Sequence, residues 1–82
     1  MSLSKGSVKN FLDFLEKVYP NAVSNLEDIK SPSINPNDLP ALIELCREEV
    51  WITADIIDSL GGPRKIENIK ITGNGIRYLK GF

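Results

Sequence analysis

The sequence predicts a small α+β fold: three helices, a two-stranded antiparallel hairpin and a short C-terminal helix. Two changes of hydrophobic period carry that reading. Apolar residues recur at helical spacing up to Val50, alternate with polar ones from Trp51, and return to helical spacing after Thr72. In Ile69-Lys70-Ile71 the isoleucines point to one face and the lysine to the other, as in a half-buried strand. Thr72 then suits a helix N-cap, because its side-chain oxygen can accept from a first-turn N–H, and Ile76 and Leu79 follow at i and i+3.

The first helix is expected from about Ser7 to Tyr19. Val8, Phe11, Leu12, Leu15, Val18 and Tyr19 share one face, Ser7 can cap the start, and Pro20 discourages continuation. Ser24 followed by Glu27 fits a capping box, so a short second helix is expected within Ala22 to Lys30, with Leu26 and Ile29 inward. Residues 31–37 read as a turn, since neither Ser31 nor Asn35 favours helical geometry before a proline. The third helix is expected from Leu39 to Glu49, capped by Asp38 and with Pro40 in its first turn, where a missing N–H costs little. Leu39, Leu42, Ile43, Cys46 and Val50 form its apolar stripe. Glu44 and Glu48 lie opposite, with Arg47 and Glu49 beside them. Trp51 to Ile57 and Ile66 to Thr72 are the two strands, joined around Gly61-Gly62-Pro63. The expected core includes Leu12, Leu15, Leu42, Ile43, Ile52, Ile71 and Leu79.

Several kinds of chemistry are excluded by residue usage. The 82 residues make one small domain with little room for a deep substrate cleft. No histidine is present, and the single cysteine, Cys46, falls on an apolar helical face. Histidine-dependent triads and dyads, intramolecular disulfides and common zinc sites are therefore ruled out, and neither catalysis nor a cofactor is expected. Gly61-Gly62 and Gly73-Asn74-Gly75 lack the Lys-Ser/Thr of a phosphate-binding loop and read as turn glycines. Glu44 with Glu48, and Asp55 with Asp58, read as a solvated surface, because nothing else converges on them. No membrane span or signal-peptide apolar region is evident, so a cytoplasmic protein without a membrane partner or small-molecule substrate is expected.

A strand that feeds directly into a short helix, after a long helix and an earlier strand, is how many winged-helix domains end. The chain resembles the small YjcQ-like winged-helix proteins of bacteria and phages. The resemblance rests on the junction Arg47-Glu48-Glu49-Val50-Trp51-Ile52 and on the run from Ile71-Thr72 through Gly75 to Tyr78-Leu79, and it covers about Ile34 to Leu79. Two residues depart from the pattern. Val50 stands where glycine is expected, and Glu48 adds acid to the helix that the resemblance makes the DNA reader.

Charge is unevenly spread. From Gly61 to Phe82, Arg64, Lys65, Lys70, Arg77 and Lys80 stand against Glu67 alone, whereas from Ser31 to Leu60 Arg47 stands against six carboxylates. The hairpin (the wing) and terminal helix are the expected phosphate-contacting surface, with Arg47 as the one cation on the third helix. The leading expectation is a DNA-associated protein of regulatory type that binds double-stranded DNA through these six residues. The rival is a dimerisation or protein-interaction module whose acidic third helix meets a basic partner. A charge-mixed surface with no partner is the plain alternative. Trp51 could stack on a base, but at a helix-to-strand junction it more often closes the core.

Overall fold

The computed structural model describes residues 4–57, 60–62 and 65–81. Three α-helices surround one face of a three-stranded antiparallel sheet. The elements are α1 (Lys5–Val18), β1 (Val23–Asn25), α2 (Leu39–Glu48), β2 (Ile52–Ile57), β3 (Lys65–Ile71) and α3 (Gly73–Lys80), with 3-10 turns at Leu26–Asp28 and Pro36–Asp38. The strand order is β1-β3-β2.

Helix α1 begins two residues earlier than the pattern indicates. Ser4, rather than Ser7, is the cap: its Oγ accepts from the Ser7 N–H at 3.1 Å. Val8, Phe11, Leu12 and Leu15 are buried, while Tyr19 lies beyond the helix and is exposed. The expected second helix is absent. Its first residues form β1, which pairs with β3 through Val23↔Ile69 and Asn25↔Glu67, and Glu27 falls in the 3-10 turn that follows. Strand pairing offers Val23 a fully buried cross-strand neighbour, which an isolated two-turn helix could not. The hairpin is therefore part of a three-stranded sheet, not a two-stranded wing.

Entry to α2 also differs. Asp38 makes no capping bond. Instead the Asn35 side chain accepts from the Asn37 N–H at 3.0 Å and caps a 3-10 turn that runs into the helix, with Pro40 in the first turn as expected. Leu39, Leu42, Ile43 and Cys46 are buried, but Val50 is 55% exposed. Val50 has left the helix. Its φ is +59°, its N–H donates to Arg47 C=O at 3.0 Å, and the Trp51 N–H donates to Cys46 C=O at 2.9 Å. Those two bonds form a Schellman C-cap, a motif that favours glycine at the left-handed position.

Strands β2 and β3 pair antiparallel with Ile52↔Ile71 and Thr53↔Lys70, then Asp55↔Glu67 through Ile57↔Lys65. The register gains one residue on β3, where Asn68 adopts a φ of +53° and donates from Nδ2 to Asp55 Oδ2 at 2.8 Å. This bulge inside the expected strand keeps the side-chain alternation correct on both sides of it. Ile69 and Ile71 reach the core, together with Val23, Ile29, Ile34 and Ile52.

Thr72 caps α3 as expected, accepting from the Gly75 N–H at 3.1 Å. Its hydroxyl also donates to Val50 C=O at 2.6 Å, and its N–H donates to Trp51 C=O at 2.9 Å. Gly75 is not a turn glycine: it lies in the first turn of α3, where a Cβ would stand 2.2 Å from the Trp51 carbonyl oxygen. Leu79, expected in the core, is only half-buried, because α3 rests on the rim between α1 and β3.

Candidate nucleic-acid interface

Of the six cations singled out in the sequence, the five that the structure describes do not converge on one point. Arg64 lies outside the described residues. Lys65 opens β3 opposite Ile57 and is exposed. Lys70 lies near the other end of the same strand, five residues on, or about 16 Å along an extended chain. Lys70 alternates with the core residues Ile69 and Ile71, and the extra residue at the Asn68 bulge shifts the alternation by one, so Lys65, five residues away, lies on the same solvent face.

That face is not uniformly basic. Asp55 and Glu67 are cross-strand partners between the two lysines, with the Asp55 carboxylate held by Asn68. Lys70 is further restrained: its Nζ stands 5.5 Å from the centroid of the Tyr19 ring, a cation–π contact across the start of the segment that follows α1. The local charge excess in the sequence is therefore divided in space by a pair of carboxylates.

Arg77 and Lys80 occupy the last turn of α3, where the helix dipole favours cations. Arg77 is oriented by its own helix, donating from the guanidinium to Asn74 Oδ1. Packing of α3 against α1 adds a cation that the sequence does not associate with this region. Lys5, at the start of α1, lines a shallow cleft with Arg77, Tyr78 and Gly81. Its distance in sequence from Arg77 hides the contact.

Tyr78 lies on Trp51, ring centroids 3.8 Å apart and planes inclined by 17°. This stack joins α3 to the helix-to-strand junction. Trp51 is half-buried and packed against the core, so one of its ring faces is taken by protein.

Arg47 stands apart on α2. It lines a cleft with Glu44 and Glu48 from the same helix and with Ile52, Thr53 and Ala54 from β2. A phosphate approaching Arg47 would meet the neighbouring carboxylates.

Burial, with the Glu49 charge adding to it, pushes the Cys46 thiol up to about 12, which keeps it neutral. Among the described residues no three His, Cys, Asp or Glu side chains are grouped to hold a metal ion, and no helix is long and apolar enough to cross a membrane. Searches against family models, curated proteins and solved structures find no match to this chain.

Proposed function

We propose that the chain is a non-catalytic winged-helix protein of the YjcQ-like kind, cytoplasmic and regulatory in type, that associates with double-stranded DNA through β3 and α3. Arg64, Lys65, Lys70, Arg77 and Lys80 are its phosphate contacts, with Lys5 joining them from α1. Arg47 contributes little, since its helix is acidic. The winged-helix reading draws support from the strand order β1-β3-β2 and from α2 leading straight into the β2–β3 hairpin. Val50 adds to it, because its backbone keeps the left-handed geometry expected of the glycine it replaces.

The observation that carries the DNA reading is the segregation of charge. From Lys65 to Gly81 four cations stand against Glu67, with Asp55 of β2 facing it, while α2 and its C-cap carry exposed Glu44, Glu48 and Glu49 against Arg47. Phosphate contact on such a surface gives affinity with little base readout. Replacing Arg64 and Lys65 together by glutamate is expected to weaken binding to every duplex sequence tested, and changing Glu44 and Glu48 to glutamine to strengthen it. Unaltered affinity in the first variant removes the wing from the interface.

A second reading rests on the same acidic helix. There α2 faces a basic protein partner or a second copy of the chain, and DNA is not bound. Saturable self-association in the micromolar range, with no DNA binding, favours that reading.

A further inference from the structure

Strand β2 is an edge of the sheet, and no described strand pairs with its outer side. Backbone groups alternate left and right along a strand as side chains alternate between faces. The bond from Thr72 N–H to Trp51 C=O sets the phase, so Trp51, Thr53 and Asp55 turn their backbone groups toward β3. Ile52, Ala54 and Ile56 turn theirs outward. Ile52 is covered by packing under α2, whereas Ala54 and Ile56 are half-exposed. Strand β2 contains no proline, no lysine and no bulge of its own, the devices that commonly blunt a sheet edge.

A cleft runs beside this open edge. Thr53 and Ala54 form one wall, and Glu44, Arg47 and Glu48 of α2 form the other. Helix α2 ends here, so the partial negative charge of its last carbonyls adds to two carboxylates set against one guanidinium. The backbone offers pairing, and the wall offers negative charge.

We propose that β2 accepts an extended segment of a partner protein as an added edge strand, with a lysine or arginine of that segment lying against Glu48 at the end of α2. Main-chain hydrogen bonds to Ala54 and Ile56 supply the attachment, and the acidic wall selects the side chain. A second copy of the chain suits the site less well, because its own β2 carries Asp55 and no cation. The inference is independent of DNA binding, which uses β3 and α3.

The test titrates a blocked octapeptide of alternating lysine and valine into the full, isotopically labelled chain. The Ala54 and Ile56 amide resonances are expected to shift and gain protection from exchange, saturating with a Kd below about 1 mM. The same peptide N-methylated at alternate residues keeps its charge but cannot pair as a strand, and it is expected to bind at least about tenfold more weakly. Ala54→Pro removes an outward N–H that the sheet does not use and is expected to abolish binding, and Glu48→Lys to weaken it about tenfold. Should Ala54→Pro fail to fold, the N-methylated peptide on wild-type protein decides the matter. Equal binding of the two peptides, shifts on α3 in place of β2, or no saturation by about 1 mM overturns the proposal. Protection of Ala54 and Ile56 that rises with protein concentration alone overturns it in favour of a second copy.

Discussion

Val50 shows most directly how one residue departs from its local preference and is held there. A β-branched side chain in the left-handed region costs about 1–2 kcal/mol, and the Schellman bonds with the Thr72 hydroxyl fix the backbone in spite of it. Val50→Gly is expected to raise stability by about 1 kcal/mol after glycine's own entropy cost, a gain of about 4–8 °C in melting temperature. A melting temperature unchanged or lowered would mean the position is unstrained. Cys46 gives a second test at this scale. Its folded pKa, about 12, lies above its ordinary 9.0, so the folded state holds the proton more tightly. The stability this contributes is complete below pH 9 and is lost as pH rises toward 12. The stability difference between wild type and Cys46→Ala is therefore expected to narrow across that window in denaturant titrations. Alkylation of the native thiol at pH 8 should be negligible until the chain unfolds.

At the scale of elements, the apolar stripes of α1 and α2, the two long strands and the Thr72 cap are legible in the sequence, since each is a local pattern. Strand β1 is not. Ser24 and Glu27 imitate a helix start, and only the partner Ile69, more than forty residues away, makes Val23 a strand residue. The bulge is hidden for a similar reason, although Asn68, a residue tolerant of positive φ, marks its place. Ile69 lies on the central strand and is fully buried, so Ile69→Ala is expected to cost about 2–5 kcal/mol. Leu79→Ala, on a half-buried rim, should cost less than half as much in the same chemical denaturation experiment. The Asp55–Glu67 pair makes the opposite prediction. Like charges across a ladder destabilise it, so Glu67→Lys is expected to add about 0.5–1 kcal/mol while making the face more basic. A loss of stability there would show that the bulge already separates the two carboxylates.

For the whole molecule, the sequence locates charge along the chain but not around the surface. The sum over the C-terminal third suggests one basic patch. Folding instead separates Lys65 from Lys70 with Asp55 and Glu67, sets Arg47 among glutamates, and brings Lys5 to Arg77. DNA association is the central functional claim, and it depends on whether these scattered cations still act together on a phosphate backbone. The salt dependence of binding to mixed-sequence duplex counts them directly, because each phosphate contact adds about 0.9 to the log–log slope. With four to six contacts, the affinity is expected to fall with a slope between about −3.5 and −5.5, and Arg64→Glu with Lys65→Glu to reduce its magnitude by about 2. A slope near zero, or no binding at about 50 mM salt with duplex in the tens of micromolar, contradicts DNA association through β3 and α3.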